Sequence, residues 1–541
     1  MTLAELAQRY WDLSIGSSPL WANLLADHRF DDQVEDHTEE GQARLAADIT
    51  AVADEAEDID AAGLTRDDRT TREVLLFEAR NAVDRLQGRH DEFAVDPHRG
   101  LHVAYLSTVP QMQATEPEHA DAFIAKYDKM GRVFDAAVQR LQAGIRNGRT
   151  PPAVSVQRSL LQVQPPSMFT SDQVVRWRDQ LADRVYRVIR PAYERYRHAL
   201  RGEVAAAARP QEESGVGWLP DGEELYAAAI RTYTSLPLTA DEIHCIGKDD
   251  ITRLEDEYRQ LGSAVLTASN VADMYTELRD HPELRFSTAG EVKAAAEGSL
   301  ARAETAAPHW FGRLPQAPCV VEPIPAVMAP EATIAYYLPP AADGSRPGTY
   351  FINLYQPETR TRFEAEALAF HESVPGHHLQ LAIAQEMERL PEFRKHALVT
   401  VYVEGWGLYT ERLADEMALY SSDTARLGML SFDSWRACRL VVDTGLHAKG
   451  WSRQQAIDYM RDNSPQALNN IENEVDRYIG WPGQALAYKI GQREIFRLRE
   501  NARRRMGRRF DVKAFHDTVL QPGPVPLQVL GELVDEWVRS A

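Results

Sequence analysis

Apolar residues recur three and four positions apart along most of the chain, with polar and charged residues between them. Because an α-helix turns once every 3.6 residues, this spacing places the apolar side chains on one face and predicts amphipathic helices. A further short helix is expected after Pro526. The pattern predicts long helices at 121–146, 172–206, 239–262, 361–389, 396–419, 424–448, 453–462, 468–478 and 484–505.

The segment 307–353 interrupts this helical pattern. It contains nine of the thirty prolines and three short runs rich in β-branched and aromatic residues. These runs predict strands at 319–322, 333–337 and 349–353, which we expect to form a small antiparallel sheet. The loop from Pro339 to Pro347 would connect two of the strands. The pattern as a whole indicates a mainly α-helical protein with a small sheet.

Length and charge narrow the class of protein. The 541 residues allow a large core, and we expect a helical N-terminal subdomain at 1–306 and a catalytic subdomain at 307–541. The formal net charge of −21 disfavours nucleic acid and anionic membranes as partners. Three well-separated cysteines fit free thiols, and neither a signal peptide nor a membrane span is recognisable. We expect a cytoplasmic protein; its oligomeric state stays open.

The sequence His371-Glu372-Ser373-Val374-Pro375-Gly376-His377-His378 starts like the HExxH helix of zinc hydrolases and then departs from it. In HExxH the two histidines lie four residues apart on one helix face, so both imidazoles reach one metal ion. Here the fourth position is Pro375, which has no N–H and whose ring clashes with the carbonyl of His371. A regular helix cannot continue through this point, and we predict a bulge at residues 373–376.

The bulge decides which histidine could share a metal ion with His371. On a regular helix His378 would lie roughly 10 Å further along the axis, and His377 would point in another direction. Gly376 tolerates unusual backbone angles, so the Pro-Gly pair can turn one of them back. We favour His377 as the second ligand, because Gly-His then matches the end of the usual motif with two residues inserted. His378 is the alternative.

A catalytic zinc site needs a third protein ligand and an open fourth position. Glu404 is the best candidate, because a carboxylate on the otherwise apolar helix around it is costly unless paired or bound to a metal. The neighbouring Gly405 and Gly407 would allow a close approach between helices. Glu411, two turns further along the same face, is the alternative, either as a ligand or as the partner of one.

At these residues the chain resembles the bacterial family catalogued as domain of unknown function 885, whose members carry HExxPGHH followed by an EGW segment. That family is similar to the zinc peptidases that take a glutamate from a second helix, including angiotensin-converting enzyme and the thimet-type oligopeptidases. The resemblance covers most of the chain. The matching segments are Asp27 to Asp32, the histidine motif, Glu404-Gly405-Trp406, Val442 to His447, Arg477-Tyr478, Pro482 to Ala485, and Tyr488.

The resemblance implies zinc held by His371, His377 and Glu404, with Glu372 as the general base. It also implies a large helical zinc-peptidase-like body with a deep channel and the small sheet beside the active-site helix. Zinc lowers the pKa of bound water and polarises a carbonyl, so such a site hydrolyses amides without a covalent intermediate. Mn²⁺, Co²⁺ and Fe²⁺ are not excluded, since a set of two nitrogens and one oxygen accepts several metals.

The remaining candidate residues would contact the substrate. The developing oxyanion needs hydrogen-bond donors besides the metal. The segment 348–353 fits an edge strand on which a peptide could lie extended. The candidate donors are His447, Tyr488, Arg477 and Tyr478, and the candidate substrate-binding residues on the strand are Tyr350 and Asn353.

Three functions are compatible with these features. The leading prediction is a zinc metallopeptidase acting on short peptides. The first alternative keeps the zinc and acts on a small non-peptide amide in biosynthesis or salvage. The second alternative is an inactive scaffold that binds peptides, in which Pro375 has destroyed the metal site.

Overall fold

A computed structural model of the protein describes residues 1–97, 99–109, 112, 116–163, 177–326, 329, 332–341, 344 and 346–541. The described chain is mainly α-helical, as the periodicity predicts. The helices are α1 Leu3–Gly16, α2 Pro19–Leu24, α3 Glu39–Glu57, α4 Arg66–Gln87, α5 Leu101–Thr108, α6 Pro117–Arg146, α7 Ala153–Gln162, α8 Arg178–Arg184, α9 Arg190–Ala199, α10 Ala205–Ala207, α11 Gly222–Thr234, α12 Ala240–Gly262, α13 Val271–Asp280, α14 Ala289–Ala306, α15 Ala365–Glu372, α16 His377–Gln385, α17 Glu392–Lys395, α18 Thr400–Glu416, α19 Asp423–Ala448, α20 Arg453–Asn463, α21 Leu468–Gly480, α22 Ala487–Met506, α23 Val512–Leu520 and α24 Leu527–Ser540.

The predicted helices agree with these bounds to within a few residues, apart from three. The helix predicted at 361–389 is split into α15 and α16 by the break at 373–376. The helix predicted at 172–206 lies partly outside the described residues. Its described part consists of α8, α9 and α10, which are joined by two π-helical turns. The helix predicted at 396–419 begins later, at Thr400. Within the described residues, none of the helices has the length and apolar character needed to cross a membrane.

The sheet has three strands, β1 Cys319–Pro323, β2 Ala335–Leu338 and β3 Gly348–Ile352, in the order β1-β3-β2. β2 pairs with β3 antiparallel, across the predicted loop at 339–347, of which residues 342, 343 and 345 lie outside the described chain. β1 pairs with β3 in parallel, so the prediction of a purely antiparallel sheet was wrong. Parallel neighbours need a long connection, and the segment 324–347 supplies it by carrying β2 to the far side of β3.

The position of β3 also corrects a functional prediction. The segment 348–353 was expected at an edge of the sheet, where its backbone could pair with a peptide. β3 is instead the central strand and is paired on both sides, and Tyr350 and Ile352 are buried. Its backbone is therefore not available for strand addition.

The chain divides into two compact units. The first comprises residues 1–228, 446–454 and 476–482, and it contains an apolar cluster around α6 in which Tyr105, Phe134 and Tyr193 are fully buried. The second comprises residues 229–445, 455–475 and 483–541 and contains the sheet and α15 to α18. The subdomain boundary predicted at 306/307 falls inside the second unit and stays a prediction.

Within the second unit, α18 and α22 pack at very short range. A Cβ atom added to Gly405 of α18 would lie 2.5 Å from the Cα of Gly491 on α22. Real Cβ atoms do not approach so closely, so both helices need glycine where they cross. This crossing fixes the position of α18, which carries Glu404 next to the contact.

Candidate metal centre

The histidine motif is interrupted where the sequence predicts. α15 ends at Glu372, and α16 begins at His377. Ser373 and Gly376 leave the helical region, with ψ of −119° and −129°. The amide of His378 donates to the carbonyl of Ser373 at 3.1 Å, a five-residue spacing that marks a widened turn. The bulge expected at 373–376 is therefore confirmed.

A side chain from the next helix supports this break. The indole N–H of Trp406, which is fully buried, donates to the carbonyl of Pro375 at 3.0 Å. Pro375 is buried and lies between α15 and α16, outside both helices, so the indole supplies its carbonyl with a donor. A buried unpaired carbonyl would cost about 1–3 kcal/mol. The tryptophan of the EGW segment thus satisfies the backbone of the interrupted motif.

The break brings His377 beside His371. Their ring centroids are 4.6 Å apart and the ring planes are 81° apart. Nε2 of each ring lies 3.5 Å from Oε2 of Glu404, and the three ligand atoms all lie within 4.8 Å of one another. Two imidazole nitrogens and one carboxylate oxygen around a common point are a donor set typical of a catalytic zinc site.

Gly407 makes room for the first imidazole. A Cβ atom at this position would lie 2.7 Å from Cε1 and 2.9 Å from Nε2 of His371. Any larger residue on this turn of α18 would push the ring out of place. Each of the three residues that follow Glu404 therefore has a structural reason. Gly405 allows α22 to pack closely, Trp406 donates a hydrogen bond to the carbonyl of Pro375, and Gly407 leaves space for the imidazole of His371.

Glu411 orients the same imidazole from the other side. Its Oε1 accepts a hydrogen bond of 2.8 Å from Nδ1 of His371, and both side chains are buried. Glu411 thereby occupies Nδ1, and Nε2 is the ring nitrogen that faces Glu404. A carboxylate bound to the distal nitrogen of a histidine ligand is a common feature of metal sites. Of the two roles that the sequence left open for Glu411, this geometry fits the partner of a ligand.

The electrostatics of the cluster favour a positive charge between the imidazoles. Burial alone would lower the pKa of His371, but Glu404 and Glu411 raise it to about 9. Burial alone would raise the pKa of Glu404, but hydrogen bonding to His371 and His377 holds it well below its usual range. The carboxylate is therefore ionised, and the site stabilises a bound cation, whether a proton or a metal ion.

His378 does not join this cluster. Its Nδ1 accepts from the hydroxyl of Tyr337 at 2.9 Å, and its Nε2 donates to the carbonyl of Ala317 at 3.1 Å. Burial lowers its pKa to about 4, so the ring is neutral and structural. The alternative assignment of His378 as a metal ligand was wrong, because both of its nitrogens are occupied by the loop before β1 and by β2.

Two of the predicted catalytic residues lie at the cluster. Glu372 follows His371 at the end of α15 and is only partly buried. Tyr488 on α22 is 8% exposed, and its ring is nearly parallel to that of His371, with centroids 6.4 Å apart. The side-chain amide of Gln484 lies 3.5 Å from the Tyr488 hydroxyl. Both residues belong to the unit that holds the cluster.

The two residues predicted to bind substrate, Tyr350 on β3 and Asn353 directly after it, are both fully buried. The Asn353 amide is buried and donates to the carbonyls of Ala329, Ala332 and Thr333, so it fixes the loop before β2. Tyr350 is fully buried, and burial with the nearby Glu372 carboxylate raises the pKa of its phenol. The prediction that Asn353 contacts substrate was therefore wrong. Tyr350 lies within electrostatic range of Glu372.

The other predicted donors belong to the first unit. Both ring nitrogens of His447 are occupied: Nδ1 accepts from the amide of Val216 at 3.1 Å, and Nε2 donates to the carbonyl of Tyr478 at 3.0 Å. Burial lowers the pKa of His447 to about 4. His447 therefore has no proton to offer an oxyanion, and that prediction was wrong. Arg477 packs over the ring of Tyr478 at 5.3 Å, and no contact of either residue tests its predicted role.

A second histidine and carboxylate group, His28, Asp31 and His119, lies in the first unit. The two imidazoles stack face to face, with centroids 3.7 Å apart and planes 5° apart, rather than converging on one point. Asp31 already accepts from His28 at 2.7 Å and from Asn23. The ammonium group of Lys126 adds positive charge beside Asp31. This group fits a hydrogen-bonded stack better than a metal site.

One residue near the cluster was missed from the sequence. Arg436 on α19 is 4% exposed, and its guanidinium carbon lies 5.8 Å from the centroid of the Tyr488 ring. The signal was present in the segment Trp435-Arg436-Ala437-Cys438-Arg439, because two arginines interrupt a helix whose neighbours are apolar. A buried arginine on such a helix needs a counter-charge.

The comparisons with known proteins agree with this fold. A family described as "Bacterial protein of unknown function (DUF885)" matches residues 19–534, and the chain belongs to that family. The crystal structure of a "putative lipoprotein" from Colwellia psychrerythraea is 26% identical, covers 100% of this chain and 99% of its own, and gives a TM-score of 0.91. A "putative lipoprotein of unknown function" from Shewanella oneidensis is 19% identical, covers 98% and 99%, and gives a TM-score of 0.77. No curated protein matches the chain.

Proposed function

We propose that the protein is a zinc-dependent hydrolase that cleaves amide bonds of short peptides. The observation that carries the proposal is the convergence of Nε2 of His371, Nε2 of His377 and Oε2 of Glu404 within 4.8 Å, with Glu372 next to the first ligand. The kinship with zinc peptidases and the deep channel that it implies are part of this proposal. So is the cytoplasmic location.

The residues of the cluster fit a zinc ion by their chemistry. The donor set of two imidazoles and one ionised carboxylate leaves a fourth position for water or substrate. A zinc ion held there would supply a Lewis acid that polarises the substrate carbonyl and lowers the pKa of water. The Glu411 carboxylate on Nδ1 of His371 would raise the basicity of that ligand.

Glu372 and Tyr488 would act on the substrate directly. The Glu372 carboxylate would accept the proton of the attacking water and deliver it to the leaving amine, as a general base and then a general acid. Tyr488, whose ring centroid lies 6.4 Å from that of His371, would donate a hydrogen bond from its hydroxyl to the carbonyl oxygen as negative charge develops. Both roles use groups of the same unit.

The test is metal analysis followed by a peptide assay. We expect about one zinc per chain, cleavage of a peptide library that a chelator abolishes, and loss of at least ~100-fold in kcat with Glu372→Gln. Glu388→Gln, at an exposed position, is the matched control and should retain full activity. A zinc-loaded Glu372→Gln variant with undiminished activity would refute the assignment of the base. A protein that stays metal-free on titration would refute the metal site.

A further inference from the structure

Tyr488 packs against a buried positive charge as well as against the metal cluster. The guanidinium carbon of Arg439 on α19 lies 4.2 Å from the centroid of the Tyr488 ring, and Arg439 is 3% exposed. The imidazole of His371 is nearly parallel to the same phenol ring, with 18° between the planes and 6.4 Å between the centroids. Tyr488 therefore links the candidate metal ligands to a cation on another helix.

The fold fixes this cation by two contacts. Nη2 of Arg439 donates to Oε2 of Glu474 on α21 at 2.9 Å, and both side chains are largely buried. The guanidinium carbon of Arg439 also lies 4.5 Å from the centroid of the Trp435 ring. A carboxylate accepts at the edge of a guanidinium group, whereas an aromatic ring packs over its face. The position of the charge over Tyr488 is therefore set by the surrounding helices.

The neighbouring Arg436 acts less directly on the phenol. Its guanidinium carbon lies 5.8 Å from the centroid of the Tyr488 ring, close to the ~6 Å limit of a cation–π contact. Each of the two guanidinium groups also has a carboxylate nearby, Glu411 for Arg436 and Glu474 for Arg439. Arg439 is therefore the cation that interacts more strongly with Tyr488, and its charge is already balanced.

A cation over a phenol ring has its largest effect when the hydroxyl shares negative charge. In the proposed reaction the Tyr488 hydroxyl donates to the developing oxyanion, and the phenol then takes up part of that charge. The attraction between the ring and the guanidinium group of Arg439 increases at that moment, because the ring has become richer in electrons. An interaction that is stronger in the transition state than in the bound substrate raises kcat and leaves KM unchanged.

We propose that Arg439 is a positioning residue for the hydrolytic reaction, which holds the ring of Tyr488 and strengthens its hydroxyl as a donor to the oxyanion. Arg439 acts through the phenol and not on the substrate. Glu474 holds the guanidinium group in place for this purpose. This inference rests on the proposed hydrolase function, in which Tyr488 is the donor.

The first test asks whether the charge acts through the hydroxyl. Arg439→Gln combined with Glu474→Gln replaces the ion pair by two neutral amides and leaves no charge unpaired. We expect kcat for a peptide substrate to fall by ~5- to 30-fold at constant KM, the range of a desolvated cation–π contact. Tyr488→Phe keeps the ring without the hydroxyl, and in this background the double substitution should cause no further loss. Equal losses in the two backgrounds would overturn the inference, because the ion pair would then serve only the fold.

A conservative variant and a matched ion pair serve as controls. Arg439→Lys keeps the positive charge and should recover part of the lost kcat. Arg499, which is 7% exposed, pairs with Glu416 at 2.6 and 2.8 Å and lies 5.9 Å from the ring centroid of Tyr409. It follows Tyr488 on α22 by roughly 16 Å along the axis. Arg499→Gln with Glu416→Gln should therefore leave kcat unchanged, and an equal loss there would overturn the inference, as would a higher KM at constant kcat in the first pair.

A measurement of unfolding separates this inference from the hydrolase function. The free energy of unfolding of the metal-free protein in urea is compared for the wild type, the neutral 439/474 pair, Tyr488→Leu and their combination. We expect the two changes to be coupled by at least ~2-fold in the unfolding equilibrium constant, because each removes one partner of the same contact. Coupling without any peptide cleavage would refute the hydrolase and support the contact between Arg439 and Tyr488. Independent effects on unfolding would overturn the inference at any level of activity.

Discussion

Gly407→Ala is the most direct test of the metal site geometry. The new methyl group would lie 2.7 to 3.0 Å from Cε1, Nε2 and Nδ1 of His371, whereas ordinary contact begins at 3.4 Å. The closest contact requires the imidazole to move by about 0.7 Å to reach 3.4 Å, whereas metal–ligand distances tolerate only about 0.2 Å. We expect zinc affinity to fall by ~10- to 100-fold, the range seen when the surroundings of a ligand are disturbed.

The effect on stability should be much smaller than the effect on the metal. Overpacking lowers the free energy of unfolding by about 1–3 kcal/mol. Replacing glycine by alanine within a helix raises it by up to about 1 kcal/mol. The net change in the free energy of unfolding of the metal-free protein is thus between about 0 and 3 kcal/mol. The assays are chemical denaturation without metal and zinc titration against a competing chelator.

Gly298→Ala on α14 is the matched control for that experiment. A Cβ atom at Gly298 would meet nothing closer than 3.9 Å, so only the gain in helix propensity remains. This variant should be slightly more stable and bind zinc as the wild type does. Undiminished zinc affinity in Gly407→Ala, with the same fold, would show that His371 does not hold the metal in the position described.

Three further changes probe the same unit. Glu411→Gln removes the charge that orients His371. We expect zinc affinity, measured by competition with a chelator, to fall by ~10- to 100-fold. An unchanged zinc affinity would count against the role of the Glu411–His371 pair. Trp406→Phe leaves the Pro375 carbonyl without its donor, which should lower the free energy of unfolding by about 1–3 kcal/mol in urea, whereas no loss would mean that water replaces the indole. His516 on α23 is fully buried, and burial lowers its pKa to about 3. Its contribution to stability is therefore complete above pH 6.5 and is lost as the pH falls towards 3. The free energy of unfolding should drop by about 2 kcal/mol at pH 5 from this residue, and the drop should shrink in His516→Asn; an identical pH slope in both proteins would refute this.

The sequence predicted the local features that depend on one or two residues. Pro375 cannot sit inside a regular helix, so the break at 373–376 followed from its chemistry alone. Gly405 and Gly407 indicated a close helix contact because no other residue leaves such room. The expectation that His377 turns back towards His371 used the same reasoning and is confirmed.

Features that depend on distant partners could not be predicted in this way. The direction of β1 relative to β3 is not encoded in the alternation of either strand, and it is set by how the segment between them crosses the sheet. His447 looked like a proton donor in isolation, but Val216 and Tyr478 occupy its two nitrogens from far along the chain. Arg436 was overlooked for a similar reason. The sequence shows that an arginine among apolar neighbours is unusual, but it does not show which residues surround the side chain in the fold.

The packing of α18 against the broken motif has a consequence for assembly. The position of Glu404 beside the two imidazoles depends on two contacts of the same helix. One is the hydrogen bond from Trp406 to the carbonyl of Pro375, and the other is the close packing of Gly407 against His371. In the unfolded chain the three ligand side chains have no fixed separation. A zinc ion would therefore bind the folded second unit much more tightly than the unfolded chain. Its binding free energy then adds to the stability of that unit. Unfolding of that unit should therefore release the ion in the same transition, and added zinc should raise the midpoint of unfolding.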